Sequence, residues 1–288
     1  MTKFIVLRPF RVGYVTNSHP PLVISHKEVQ DSRMRCLALL TDVHANLPAL
    51  QAVLEEVAES DAQAIVFLGD IIGYGASPAA CVKLVRQLGG HCVLGNHDAF
   101  LPQFRENEEM DELLFDPKNS FCAGMMLAAQ ELEDDDAEWL IHLPYKMRLP
   151  GAKAAHGSLH EPEEFHYIEN LATAGPTLEL LIQSPEKIGF LGHTHLKKIF
   201  TTNPADVLWL DPNRCQIAPD AACAITVGAV GQPREVDHKD AQWALWYPDE
   251  RIVEFRKTPY DRLRAAEDIR RAGLPRDSWT RLLSDEDW

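Results

Sequence analysis

Three short apolar runs, RCLALL (35–40), AIVFLG (64–69) and HCVLG (91–95), are separated by stretches just long enough for the chain to return through a helix. Runs this short and this continuously apolar read as strands buried on both faces. Between the first two, Leu50, Val53, Leu54 and Val57 share one helical face of residues 47–59. Between the second and third, Pro78 opens a predicted helix that ends near Leu88, and in a first helical turn its missing N–H is not needed. Strand, helix, strand, helix, strand at this pitch commits the chain to βαβ units and a parallel sheet.

The pattern continues with changes of emphasis. Residues 119–132 and 136–142 read as helices, preceded by the acidic stretch RENEEMDE (105–112). A strand is predicted at 151–155, a helix starting near Pro176 and running to Ile182, and a further buried strand at 187–192. The chain then becomes β-rich, with strands at 197–202, 222–228, 241–248 and 251–257, the last two joined by a turn at YPDE (247–250). Trp243 and Trp246 lie in one of these strands and read as packing residues. A helix over 260–272 closes at Gly273 and Pro275 in the usual stop order. With no internal repeat and no long linker, the reading is one α/β domain over 34–288. Residues 1–33 read as a non-core N-terminal extension: they have no clear period, carry Pro9, Pro20 and Pro21, and hold Lys3, Arg8, Arg11, Lys27 and Arg33 against Glu28 and Asp31. Met34, opening the first clean strand, is the expected natural start.

Charge narrows the function classes. The formal net charge of −15 opposes approach to long nucleic acids and to anionic membranes. A small anion is still accessible where metal ions reverse the local field. No apolar run is long enough to cross a membrane. The six cysteines, Cys36, Cys81, Cys92, Cys122, Cys215 and Cys223, form no Cys-x-x-Cys pair. They read as free thiols in a reducing, cytoplasmic setting.

The chemistry lies where the apolar runs stop. The run at 35–40 leads into Asp42 and His44, and that at 64–69 into Asp70. The run at 91–95 leads into Asn96, His97 and Asp98, that at 151–155 into His156, and that at 187–192 into His193 and His195. Five buried strands thus deliver Asp, Asn or His at their carboxyl ends, the edge where open α/β sheets bind ligands. Carboxylates, an amide and imidazoles without a thiolate suit Mn²⁺, Fe or Zn²⁺, and contain too much imidazole for Mg²⁺ or Ca²⁺. The donors are too many for one ion; two divalent ions sharing a bridging carboxylate would use them all. Such two-metal sites serve phosphate ester hydrolysis.

The ordered blocks D-x-H, GD, GNHD, AHG and GHTH resemble the calcineurin-like metallophosphoesterase superfamily, from Met34 to about Arg256. The resemblance implies a two-sheet αββα sandwich and two divalent metal ions, with Mn²⁺ preferred. It implies that Asp42, His44 and His195 hold the first ion, that Asn96, His156 and His193 hold the second, and that Asp70 bridges them. A hydroxide between the ions would attack phosphorus. His97 would face the substrate and protonate the leaving oxygen, with Asp98 orienting His97 and Gly95 allowing the tight turn that presents Asn96 and His97.

GDIIGYGASP (69–78) and VGAVGQPRE (227–235) further resemble the small bacterial and archaeal phosphodiesterase branch. There a Gly-Gln-Pro-Arg turn lies beside the metal site, which implies substrate-binding roles for Gln232 and Arg234. Thr226, Val227, Ala229 and Glu235 depart from that branch's usual Asn, Pro, Ser and Asp. Tyr74 and Tyr167 are candidates to stack on a base, and His160 and His166 to line the pocket. The expected partner is a small phosphodiester or nucleotide. Alternatives with the same site are a dinucleoside tetraphosphatase or a phosphomonoesterase; a nucleotide sensor or a non-catalytic scaffold on the same fold is the more distant reading.

Overall fold

The computed structural model describes residues 34–105, 116–235 and 239–284, so the readings for 1–33 and for most of 105–112 fall outside them. The chain runs β1 (Leu37–Leu40), α1 (Leu47–Glu59), β2 (Ala64–Phe67), α2 (Pro78–Gln87), β3 (His91–Cys92) and α3 (Asn96–Arg105). It continues through α4 (Ser120–Glu131), α5 (Asp134–Ile141), β4 (Lys146–Leu149), β5 (Ala152–Ala155), α6 (Leu171–Ile182) and β6 (Ile188–Leu191). The last part holds β7 (Lys197–Thr201), β8 (Val207–Asp211), β9 (Arg214–Ile217), β10 (Cys223–Val227), β11 (Ala241–Tyr247), β12 (Ile252–Thr258), α7 (Arg262–Arg271) and α8 (Arg276–Thr280).

The strands form a seven-stranded sheet, β3-β2-β1-β11-β12-β9-β8, and a five-stranded sheet, β4-β5-β6-β10-β7. Both are mixed. β1, β2 and β3 pair in parallel, whereas β11 meets β1 antiparallel with Leu37 opposite Trp246. β5, β6 and β10 pair in parallel, with β4 and β7 antiparallel at the edges.

Side-chain alternation builds four layers from these strands. Leu37 and Leu39 of β1 join Phe190 and Trp246 in the core between the two sheets. Ala38 and Leu40 face the other way, with Leu50 and Val53 of α1. β11 splits likewise: Trp243 and Leu245 lie under the helices, Ala244 and Trp246 between the sheets. Both tryptophans are fully buried, and each indole finds an acceptor, Thr258 Oγ1 for Trp243 and the Pro150 carbonyl for Trp246, both at 2.8 Å. α6 covers the outer face of the five-stranded sheet through Ala174, Leu178 and Leu181. The result is the αββα sandwich.

Several elements depart from the sequence reading. α6 begins at Leu171, not near Pro176, because Asn170 and Thr173 form a reciprocal capping box upstream of the proline. α3 starts directly at Asn96, inside the polar block that read as a turn. The edge strands β4 and β8 were not visible as strands, because their mostly exposed side chains give no buried run.

Candidate metal centre

The parallel strands of both sheets end at one edge, and the loops that follow bring eight predicted residues together. Asp42 and His44 follow β1, Asp70 follows β2, Asn96 and His97 follow β3, His156 follows β5, and His193 and His195 follow β6. The backbone at these positions is unusual. Among the described residues, ten other than glycine have positive φ, and five of them are Asp42, His44, Asp70, His193 and His195. Left-handed backbone at a residue with a Cβ costs about 1–2 kcal/mol. Such strain concentrates where a side chain must be aimed rather than where the chain is relaxed.

Two groups of donor atoms meet at one carboxylate. Asp42 Oδ1 lies 3.2 Å from His195 Nε2 and 3.7 Å from His44 Nε2, and the two imidazole nitrogens are 3.0 Å apart. On the other side, His156 Nε2 lies 3.1 Å from Asn96 Oδ1 and 3.2 Å from His193 Nδ1. Asp70 Oδ2 faces both groups, 3.8 Å from His44 Nε2 and 3.2 Å from His156 Nε2. It is also 3.9 Å from His97 Nε2.

The surrounding groups leave these atoms free to face inward. Asp42 Oδ2 accepts from Thr41 Oγ1 at 2.6 Å and from the His193 N–H at 3.0 Å. Its Oδ1 is buried without a hydrogen-bond partner. Asp70 Oδ1 accepts the His97 N–H, which leaves Oδ2 to the histidines. Three imidazoles donate their Nδ1–H to backbone carbonyls: His44 to Ile72 at 3.1 Å, His156 to Leu68 at 2.7 Å and His195 to Gln232 at 2.7 Å. That fixes each tautomer and turns Nε2 toward the centre, as metal-binding histidines require. An orphaned carboxylate oxygen, three oriented imidazoles and donor sets lying within 4.8 Å fit divalent cations.

The side chains of the centre shift one another's proton affinities. Burial works to raise the Asp42 and Asp70 carboxyls, but the facing histidines, His195 and His156 first, hold both well below the ordinary range. Burial works to deprotonate His156, and the Asp70 carboxylate overcomes it, raising that imidazole to about 9. Burial lowers His97 to about 4; burial and the charge of His156 lower His193 to about 3.

His97 sits in a box of rings, 4.7 Å from each of His44, Tyr74 and Phe121. Its Nδ1 is buried without a partner, against Gly73, where a Cβ would lie 2.1 Å away. Only Nε2 therefore faces the centre.

Two expectations need correction. The Asp98 carboxylate makes no hydrogen bond to His97 among the described residues. It accepts the backbone N–H groups of Asp70, Ile71, Ile72 and Gly95 at 2.9–3.3 Å, and so pins the loop that carries Asp70. Burial and the Asp70 charge raise its carboxyl to about 7, against the pull of those N–H groups. Gly95 is needed for close approach rather than for a turn: a Cβ there would sit 2.1 Å from the Asp70 nitrogen. Gln232 is buried, its backbone carbonyl bonded to His195 and its side-chain Oε1 without a hydrogen-bond partner among the described residues. Arg234 is exposed, and its positive charge acts on the Tyr167 phenol. Tyr167 in turn stacks on His193 at 3.7 Å and 21°. His160 and His166 pair with Glu161, outside the cluster. The three orienting carbonyls escaped the sequence reading, since a backbone group has no side-chain signature; so did Thr41, whose hydroxyl serves Asp42 rather than the centre directly.

Comparison with known proteins identifies the family and its fold. The model of the family described as calcineurin-like phosphoesterase matches residues 37–208. An uncharacterized protein of Methanocaldococcus jannaschii is 28% identical over 249 residues, covering 83% of this chain and 93% of that protein. A metallophosphoesterase from Sphaerobacter thermophilus superposes with a TM-score of 0.68 at 30% identity, covering 87% of this chain and 98% of that one. A hypothetical protein from Pyrococcus horikoshii shares the fold, with a TM-score of 0.65 at 17% identity, covering 86% of this chain and 97% of that one.

Proposed function

The chain belongs to the calcineurin-like phosphoesterase family, whose members hydrolyse phosphoesters at His/Asp metal sites, and from that premise we propose that it is a two-metal phosphodiesterase acting on a small phosphodiester or nucleotide. The observation that carries the reading is a single oxygen, Asp70 Oδ2, facing both donor groups at 3.8 and 3.2 Å. Asp42, His44 and His195 would hold one divalent ion, and Asn96, His156 and His193 the other, with Asp70 between them. Bound there, the ions acidify water and neutralise phosphoryl charge. The carboxylates and amide beside neutral imidazoles favour Mn²⁺, with Fe or Zn²⁺ as alternatives.

The chain's own residues do the rest. His97 Nε2 gives a proton to the leaving oxygen, and an anionic phosphoryl group beside it raises its proton affinity. The rings of Tyr74 and Phe121 shield that imidazole from water. Arg234, on the rim beside Tyr167, offers a planar pair of donors to a non-reacting phosphoryl oxygen. The presence of His97 at the centre supports catalysis over a scaffold role. The net charge of −15 favours a small substrate over a long nucleic acid, and six free cysteines fit a reducing cytoplasm. Among the described residues no helix is long and apolar enough to cross a membrane.

The test is metal analysis of the purified protein together with hydrolysis of bis-p-nitrophenyl phosphate and p-nitrophenyl phosphate in Mn²⁺. Two ions per chain and faster turnover of the diester are expected. A fully loaded protein that cleaves neither ester is not the enzyme proposed.

A further inference from the structure

Past His97 the centre adjoins a second recess, a cleft of about 460 Å³. Tyr74 and Phe121 line it, and the same two rings pack on His97 at 4.7 Å. Cleft and centre therefore share a wall. Since His97 protonates the leaving oxygen in the reaction above, whatever departs with that oxygen lies on the side of these two rings.

The opposite side of the cleft carries charge. Lys118, just before α4, and Arg281, just after α8, both line it. Neither forms an ion pair with a described carboxylate. Asp116 and Asp277 also line the cleft, Asp116 Oδ1 accepting the Lys118 backbone N–H at 2.9 Å and Asp277 lying in the first turn of α8, so the recess holds charges of both signs. The positive field of Arg281 reaches the Tyr74 phenol, as does that of Arg234. In a chain of net charge −15, a recess where two cations without an ion pair to a described carboxylate stand against two aspartates is less negative than the chain as a whole.

We propose that this cleft holds the leaving half of the substrate and selects leaving groups that carry a terminal phosphate, met by Lys118 and Arg281. The inference rests on the phosphoesterase reading. Arginine offers a planar fork and lysine a mobile point charge, a pair suited to a phosphate at the end of a flexible nucleoside. In the reaction a water oxygen bonds to phosphorus and the bond from phosphorus to the leaving oxygen breaks with its electron pair. His97 supplies a proton to that oxygen, and the surplus proton of the water passes to solvent. The products are a phosphomonoester and an alcohol that already bears a phosphate.

The dinucleotides ApA and pApA test this, because they differ only by a phosphate on the half that leaves when the P–O3′ bond breaks. With Mn²⁺-loaded wild type, kcat/KM for pApA is expected to exceed that for ApA by about tenfold or more, the effect of one charge-assisted contact, chiefly through KM. The double variant Lys118→Ala, Arg281→Ala should bring that ratio near one, while Arg271→Ala, an exposed arginine on α7, should leave it as in wild type. A readout independent of turnover is AMP binding to the protein in EDTA by calorimetry, which should weaken in the double variant. A wild type that handles the two dinucleotides alike, or a ratio and AMP affinity untouched by the double variant, overturns the cleft assignment. Failure of the loaded wild type on bis-p-nitrophenyl phosphate as well would instead sink the phosphoesterase reading, and AMP binding would then judge the cleft alone.

Discussion

The backbone N–H of His97 donates to Asp70 Oδ1 at 2.8 Å, so the carboxylate that faces both donor groups is held in place by the residue proposed to serve the leaving group. One oxygen is committed to the backbone and the other is left for cations. Asp70→Asn keeps the shape but removes the charge and offers an amide to one side of the centre. Metal affinity should fall by more than about 100-fold, beyond the loss seen when only a supporting group is removed. Manganese stoichiometry by elemental analysis should drop below two per chain, and hydrolysis of bis-p-nitrophenyl phosphate should nearly vanish. Full metal content with a wild-type rate would mean that Asp70 is not the bridge.

His97 is separable from the metal ligands by its dependence on the leaving group. His97→Ala should slow diester hydrolysis by about 10²–10⁴-fold, the usual contribution of a positioned acid. The loss should be larger for an alkyl leaving group, which needs a proton, than for p-nitrophenolate, which departs readily without one. Manganese content should stay at the wild-type level. Loss of an ion would make His97 a ligand, which its position near His44 and Asp70 geometrically allows.

Much of this centre was legible because apolar runs and polar residues meet so abruptly. Leu37–Leu40 and Ile188–Leu191 are buried on both faces, so any charged group just beyond them had to serve something other than the core. What stayed hidden were interactions with the backbone. Asp98 was expected to serve its neighbour in sequence, His97, yet it bonds N–H groups 26–28 residues away, and no pattern of side chains reports where an N–H points. The carbonyl of Gln232, which orients His195, is another group with no side-chain signature. The start of α6 was misplaced because a proline is a loud signal and an Asn–Thr capping box a quiet one. β8, with Leu208, Trp209 and Leu210 exposed, has no burial pattern from which to be read.

Burial of the thiols predicts an alkaline limit to stability. All six cysteines are free and buried. Burial pushes Cys36 and Cys215 up to about 12 and Cys223 up to about 11, with Cys81 and Cys92 raised further still. In the unfolded chain a thiol ionises near about 8.5. A pKa raised by folding gives a contribution that is complete below the unfolded value and lost as pH climbs toward the folded one. Stability, and Tm with it, should therefore fall steadily from about pH 8.5 to 11, by up to about 1.4 kcal/mol per pH unit for each of these five thiols. Native protein at pH 8 should resist iodoacetamide, and all six positions should react in urea. Rapid labelling of the native protein would contradict the burial.

Asp98 gives the sharpest contrast between the role expected of it and the role observed. An orienting carboxylate for His97 would make Asp98→Asn a milder copy of His97→Ala, with both ions retained and Tm unchanged. The structure gives the carboxylate four N–H donors, three of them from the loop that carries Asp70. An asparagine there turns an NH₂ toward N–H groups that need an acceptor, and each buried donor left unmet costs about 1–3 kcal/mol. The loop should loosen, Asp70 should lose its aim, and metal affinity should drop by about 10–100-fold, as when a supporting partner is removed. Thermal denaturation in EDTA and metal titration, measured on the same variant, separate the two roles. A lowered Tm with weakened metal binding supports the loop-holding role, whereas an unchanged Tm with full metal content and a leaving-group-dependent rate loss would return Asp98 to the service of His97.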